Sequence, residues 1–420
     1  MKNKWPLFFV FAAPEGFPAL SGKWNTLLLR TGAAFISALM VTNGGLCQNN
    51  SPNPDAYNVK WNAPGPGAAQ SMPIGNGDIG LNVWVEPDGT LSFYVSKTDA
   101  WGGETNNPDW DVWMKQGGVL MKLGLVHVSL LPNPLANGAA FKQTLALHDG
   151  EIQIQEGDKA TGVILRVWVD ANNPVIRVEA KCQKPVSVKV TLDNWRLHNG
   201  DTVLQDRANR IAWYHRNADT ADPHLAGLTF GAVIKGNGLV RKNGASLQSG
   251  TKVNNQLISI YPLTATTTSA AQWVAQLEQQ TAQIDNLPLE QTRAAHRLWW
   301  DRFWHRSWVY IHGDSTATKI TQGYVLQRFV TACAGRGTGP VKFNGSIFVV
   351  DNPGHKPAMN ADYRAWGGQY WFQNTRAMYW PRLAAGDFDE MLPLFNMYAK
   401  ILPANAAQVK QYYHHDGAYF

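Results

Sequence analysis

Between residues 68 and 266 apolar and polar positions alternate with a period of two, the spacing that puts every second side chain on one face of a strand. LNVWVEPDGTLSFYV (81–95) reads as strand, Pro-Asp-Gly turn and strand. GVILRVWVD, PVIRVEAKC and VSVKVTLDN follow as three further strands, separated at Asn172-Asn173 and at Lys184-Pro185. GLTFGAVIKG and QLISIYPLTAT continue the series, so the pattern predicts a large antiparallel sandwich with almost no helix. SPNPDAYNVKWNAPGPG (51–67) leads into it as a Pro/Asn/Gly linker.

The hydrophobic period then changes to that of a helix. Ser269–Ile284 reads as one helix and Pro288–Trp308 as another, with Pro288 suited to a first turn. Trp299, Trp300, Phe303, Trp304 and Trp308 crowd this second helix, which is expected to clamp the sandwich to the helical region beyond it. Helical patterns continue at 317–335, 359–381 and 387–413, with a long loop from Gly335 to Tyr363. The expected units are a leader (1–48), a linker (49–67), a β super-sandwich (68–266), a helical linker (267–315) and a helical region (316–420). The two halves are expected to fold as separate units joined near 267–315.

The stretch MNADYRAWGGQYWFQNTRAMYWP (359–381) sets three tryptophans and three tyrosines among asparagine, aspartate and glutamine. On a helical wheel Trp366, Tyr370, Asn374, Ala377 and Trp380 share one side, with Phe372 and Tyr379 opposite. A helix apolar all round is buried all round, as is an inner helix of an α/α toroid. A buried Asn374 amide needs partners, from the protein or from a ligand.

Charged residues make up only 16% of the chain and there are 18 tryptophans. Indole faces stack on the C–H faces of sugar rings, and amides and carboxylates take the hydroxyls, so carbohydrate is the partner this composition suggests. The net charge is +6, half of it carried by the first 48 residues (Lys2, Lys4, Lys23 and Arg30 against Glu15). No basic stripe or nucleic-acid motif is present, which argues against a nucleic-acid partner. Arg30 followed by the apolar run Ala33–Val41 and small residues has the grammar of a secretory signal, too short to span a bilayer. The mature chain is therefore expected in the periplasm or outside the cell, with no transmembrane segment. Cys47 lacks the small residue usual just before a lipoprotein's anchored cysteine, so anchoring there is the less favoured alternative. Cys182 and Cys333 are too few for a disulfide scaffold.

Several chemistries are excluded by motif. GNGDIG (75–80) looks like a phosphate loop, but strand follows it rather than helix, so it reads as a tight turn presenting Asn76 or Asp78. HHDG (414–417) lacks a zinc spacing, and neither a Gly-x-Ser-x-Gly elbow nor a cysteine nucleophile motif occurs. No metal or cofactor is expected. The candidate substrate-binding residues are Asp362, placed either to cap a helix or to bind a sugar hydroxyl, with Trp366, Trp371, Gln369, Asn76 and Asp78.

SMPIGNGDIGLNVWV, KTDAWGG, WWDRFWHRSWV and NTRAMYWP, in that order, resemble the family 95 glycoside hydrolases. KFNGSIFVVD and ADYRAWGGQYWFQNTR are similar to a branch of the same superfamily often labelled a domain of unknown function. The resemblance implies a β super-sandwich, a helical linker and an (α/α)6 toroid. It also implies inverting hydrolysis of α-L-fucosides or α-galactosides from plant or host glycans, using an acid and a water-activating base. Asn374 falls on the second asparagine of the family's Asn-x-Asn, which positions the water-activating group, whereas Phe372 stands at the first. Residues after Thr316 hold about three or four helices of the usual roughly 11–12 residues. The sequence thus reads as the start of an incomplete toroid, a fragment in which the catalytic carboxylates are expected beyond Phe420. A non-catalytic carbohydrate-binding relative is the alternative.

Overall fold

The computed structural model describes residues 10–11, 53–102, 118–196, 200–219, 225–356, 358–364 and 367–420. The expected leader lies outside the described residues apart from Val10–Phe11, and so does Trp366. Among the described residues fifteen strands form one antiparallel assembly of two sheets that share the strand Ile176–Asp193. One sheet runs from Asp201–Leu204 through Leu228–Gly236, Val253–Thr266 and Val163–Val169 to Val59–Trp61. The other runs from Leu239–Asn243 through Val119–Leu131, Leu91–Gly102 and Ile79–Val85 to Met72–Gly75.

The shared strand corrects one expectation. Lys184-Pro185 is not a turn between two strands. Residues Ile176–Lys181 pair with Gln256–Ile260 and neighbouring positions, the register shifts between Lys181 and Val186, and Ser187–Asp193 then pair with Leu125–Leu131. A proline without an N–H interrupts the ladder, and the irregularity bends the strand so that it leaves one sheet and enters the other.

Five helices follow: α1 (Ala270–Asp285), α2 (Leu289–Arg306), α3 (Ser315–Ala332), α4 (Phe372–Ala385) and α5 (Leu392–Tyr413). Ser269 caps α1 by accepting from the Gln272 N–H, and Asp314 caps α3 by accepting from Thr316 and Ala317. The tryptophan-rich α2 does clamp the sandwich. Trp304 Nε1 donates to the Leu147 carbonyl at 2.9 Å, and His296 bridges the Ala171 N–H and the Asp149 carbonyl. Arg293 joins Glu151 and Glu179. At Gly150 (φ +59°) an added Cβ would stand 1.9 Å from Trp300 Nε1, so only glycine permits this approach.

The proposed boundary is therefore not a gap in the core. One apolar cluster runs from Val83 and Phe93 through Val178 to Trp300, Phe303, Val325 and Phe329. The two sheets, α2 and α3 share it, although strands end at Thr266 and helices begin at Ala270.

Inside the sandwich Glu156 is 1% exposed, and neither carboxylate oxygen has a hydrogen-bond partner among the described residues. Burial pushes its carboxyl from 4.5 up to about 8. Between those values the folded state keeps a proton that the unfolded state has released, so stability falls as pH rises from about 5 to 8. Glu156→Gln is expected to remove this dependence, recovering on the order of 3 kcal/mol at pH 8 and little at pH 5. Urea midpoints of both proteins at the two pH values test it; an unchanged pH slope in the variant counts against it.

Candidate functional site at the sandwich–helix junction

The described residues between α3 and α4 meet the sandwich at the strands Met72–Gly75, Ile79–Val85 and Leu91–Gly102 and the turns between them. Their first contact is the GNGDIG turn. Asn76 Oδ1 accepts from the N–H groups of Asp78 and Ile79, and its Nδ2 donates to the Asp170 carbonyl at 2.8 Å. Gly77 (φ +99°) donates to the Cys333 carbonyl and accepts from Arg336 N–H, which docks the turn on the end of α3. A Cβ on Gly75 would sit 2.3 Å from that same carbonyl. Asn76 is thus a turn residue with its amide engaged by the protein.

Asp362 is engaged in the same way. Its Oδ1 accepts from Lys122 N–H at 2.8 Å; its Oδ2 accepts from Trp195 Nε1 at 2.7 Å and Arg196 Nη1 at 2.6 Å. Arg196 pairs in turn with Asp201, which holds His215. Beside it the Lys122 ammonium is buried and donates to Ser96, Asn82 and the Ile347 carbonyl. Burial, reinforced by the Arg364 charge, holds that amine well below its usual range, with Asp362 and Asp351 opposing. Tyr94 donates to Asp351 at 2.8 Å, and Asn82 to the Phe348 carbonyl at 3.1 Å. Asp362 caps no helix, because α4 begins ten residues later with Trp371 as its N-cap.

That late start is a correction. Gly367 (φ +64°) and Gly368 interrupt the stretch read as one helix from Met359, and among its described residues helix begins at Phe372. The helix is also not buried all round. It buries Thr375, Tyr379, Arg382 and Ala385, while Phe372 (50%), Trp380 (61%) and Leu383 (58%) are exposed. Asn374 lies on the exposed side, and Arg376 sits over the Phe372 and Trp380 rings.

The partly exposed Asp78, Asp99, Trp101 and Tyr370 form a rim around the buried Lys97 and Lys342. Along the strand Leu91–Gly102, Asp99 and Trp101 point to the partly open side while Thr98 and Ala100 are buried, the alternation a strand imposes. Lys97 Nζ lies 2.8 Å from both Asp78 Oδ2 and Asp99 Oδ1. Burial pulls the Lys97 amine down, but Asp78 and Asp99 together hold it above its ordinary value. Thr98 donates to Asp78 at 2.5 Å and Thr338 to Asp99 at 3.3 Å. Trp101 stands 6.2 Å from Tyr370. Between them Lys342 donates to the carbonyls of Gly368 and Gln369, both at 2.7 Å, and lies 4.1 Å from the Tyr370 ring. Burial and the Arg364 charge lower the Lys342 amine to about 7. The Gln369 Oε1 is buried with no partner among the described residues, and Trp371 is 39% exposed.

Of the sequence candidates, Asp78, Gln369 and Trp371 lie at or beside this rim. Asn76 and Asp362 hold the framework, and Asn374 is on the exposed side of α4. Lys97, Asp99, Trp101 and Lys342 are not among those candidates, although the period-two spacing of Asp99 and Trp101 in KTDAWGG carries the signal for two of them. Among the described residues no group of three His, Cys, Asp or Glu side chains could hold a metal. No helix among them is long and apolar enough to cross a membrane. Cys182 and Cys333 are buried and unpaired.

An antiparallel sandwich followed by helices, with a carboxylate and aromatic rim where they meet, is the class of molecule this chain defines. The profile of the domain of unknown function DUF5703 matches residues 60–209 and 199–309, and the chain belongs to that family. No curated protein matches its sequence. Among solved structures it is similar to a human-microbiome protein described as a kojibiose phosphorylase (11% identity, TM-score 0.46, 71% of this chain and 44% of that one). It is also similar to a bacterial glucoamylase complexed with acarbose (8% identity, TM-score 0.42, 83% and 52%). A third is a family GH92 alpha-mannosidase from Bacteroides thetaiotaomicron (8% identity, TM-score 0.24, 64% and 39%). The chain spans about half the length of the first two.

Proposed function

We propose that this is an exported glycoside hydrolase-type protein whose sandwich–helix rim binds a glycan. The observation that carries the reading is the rim itself: Asp78 and Asp99 beside Trp101, with Gln369 and Trp371 on the facing segment. Carboxylates and amides take sugar hydroxyls, an indole takes the apolar face of the ring, and all of them are held by a rigid strand and a pinned loop. The leader pattern supports a periplasmic or extracellular location. The family 95 resemblance supports inverting action on α-L-fucosides or α-galactosides of plant or host glycans.

A second reading, a non-catalytic carbohydrate-binding protein, is favoured by one specific feature. Asp78 and Asp99 share a single ammonium, whereas inverting hydrolysis sets its two carboxyls about 6.5–9.5 Å apart across the scissile bond. Phe372 in place of the family's first asparagine, half exposed at the start of α4, points the same way.

Affinity electrophoresis against fucosylated and galactosylated glycans, with aryl α-L-fucoside and α-galactoside assays, separates the two. Trp101→Ala and Asp99→Asn are each expected to weaken glycan retention about tenfold, near 1.4 kcal/mol, and Asp99→Asn also to lower the melting temperature, because the buried Lys97 then keeps only Asp78. Turnover of either glycoside supports the hydrolase reading; retention without turnover supports the binding one. Retention unaffected by both substitutions removes the rim as the site.

A further inference from the structure

A cavity of about 730 Å³ opens where the hairpin turn Gly236–Leu239 faces the connection between α1 and α2. Arg177, Lys235, Asn237, Tyr261, Asp285 and Leu289 contribute to its wall, and it shares no residue with the rim. Arg177 is 4% exposed. Its Nη1 donates to Ser259 Oγ at 2.5 Å and to Tyr261 Oη at 3.4 Å. Nε is buried with no partner, Nη2 has none among the described residues, and no described carboxylate lies within ion-pair distance. The one acid on the wall, Asp285, is already engaged by the Lys235 ammonium and the Tyr261 hydroxyl.

Two cations against one carboxylate leave the wall with a surplus positive charge. Asp170 acts on this buried guanidinium only at longer range and no carboxylate touches it, so the arrangement is one that an incoming anion would complete. The guanidinium presents its free nitrogens as a planar fork, which matches a carboxylate better than a spherical ion. Lys235 lies on the same wall, and Asn209 and Asn237 add polar groups suited to hydroxyls. The volume is in the range of small-molecule sites.

We propose that this cavity binds a small hydroxylated carboxylate through Arg177, with Lys235 as the second cation. Such a group is available from a uronic acid unit of a glycan or from a free hydroxy acid, and the two sources share the recognition. The site is separate from the rim, so its failure would leave the rim reading standing, and the reverse.

Titration calorimetry and thermal-shift measurements on the full chain test it, with sodium glucuronate, a glucuronate-terminated disaccharide, sodium gluconate and neutral glucose as probes. Glucuronate is expected to bind and to raise the melting temperature, and glucose is not. Arg177→Met should weaken glucuronate at least tenfold and abolish its thermal shift. Lys235→Gln, a partly exposed position that leaves Arg177 in place, should weaken it about threefold and serves if the arginine variant does not fold. A disaccharide that binds more tightly than gluconate supports the glycan source; equal or tighter gluconate binding supports the free acid. No heat or thermal shift with any of the three carboxylates overturns the proposal, as does binding that survives in Lys235→Gln or in a folded Arg177→Met with unchanged affinity.

Discussion

Replacing Asp362 with alanine is expected to destabilise the protein by about 3 kcal/mol and to free the segment 343–371 from the sandwich. The carboxylate accepts from three donors, the Lys122 N–H, the Trp195 indole and the Arg196 guanidinium, of which only Arg196 has further acceptors, at Asp201 and the Lys122 carbonyl. Arg196 keeps Asp201, so the loss stays below that of a wholly stranded charge. The Lys122 amide and the Trp195 indole lose their acceptor, and the buried Lys122 amine loses one of the two carboxylates that oppose its downward shift. Asp362→Asn keeps an acceptor oxygen and should cost only about 1–2 kcal/mol. A role limited to sugar binding makes the opposite forecast: lost glycan affinity with unchanged folding. Denaturant midpoints and limited proteolysis of the segment decide between them, and a variant that melts like the parent while losing affinity would return Asp362 to the binding site. If the framework reading holds, glycan affinity also falls in Asp362→Ala, because Gln369 and Trp371 ride on the freed segment. That loss should be recovered in part by the asparagine.

The same residue shows why the fold was more legible than the site. Alternation in VILRVWV or LSFYV needs only neighbours in sequence, and the core rewards it directly, so the sandwich could be read strand by strand. The Lys184-Pro185 break was visible too, but whether it ends a strand or bends it between sheets depends on partners at Gln256–Ile260 and Leu125–Leu131, far away in the chain. Asp362 meets donors at positions 122, 195 and 196, and no local pattern announces them. For the aromatic stretch, composition outweighed punctuation. Gly367-Gly368 marked the true break, but the density of tryptophan and tyrosine suggested an unbroken buried helix. Asp99 and Trp101 were readable from their spacing in KTDAWGG. Lys97 and Lys342 were not, since what sets each apart is burial against groups that only the fold assembles.

The other large effect is expected at Arg328, where the helical half is fastened to α2. Its Nε and Nη2 grip both oxygens of Asp387 at 2.9 and 2.7 Å, while Nη1 and Nη2 donate to the Ser307 and Phe303 carbonyls at 2.9 Å. Those carbonyls belong to the last turn of α2 and the residue after it, where helix acceptors lack partners of their own. The guanidinium also lies 4.0 Å above the Phe303 ring, and both members of the pair are almost wholly buried. One side chain therefore ties α2, α3 and the turn between α4 and α5. Arg328→Met strands the Asp387 carboxylate, with only Arg306 at 3.4 Å, and is expected to cost about 3–5 kcal/mol. Lysine should not rescue it, because a single ammonium cannot span the carboxylate and two carbonyls as the fork does. Removing both charges, as Arg328→Met with Asp387→Leu, should cost less than the two single changes added together, since neither leaves a buried ion alone. Hydrogen exchange should locate the damage: amides of α4 and α5 lose protection first, while those of the shared strand Ile176–Asp193 keep theirs. Equal loss across sandwich and helices would mean that the apolar cluster through Trp300 and Phe329, not the Arg328 fork, sets the cooperativity of the molecule, and additive single and double variants would deny the pair its coupling.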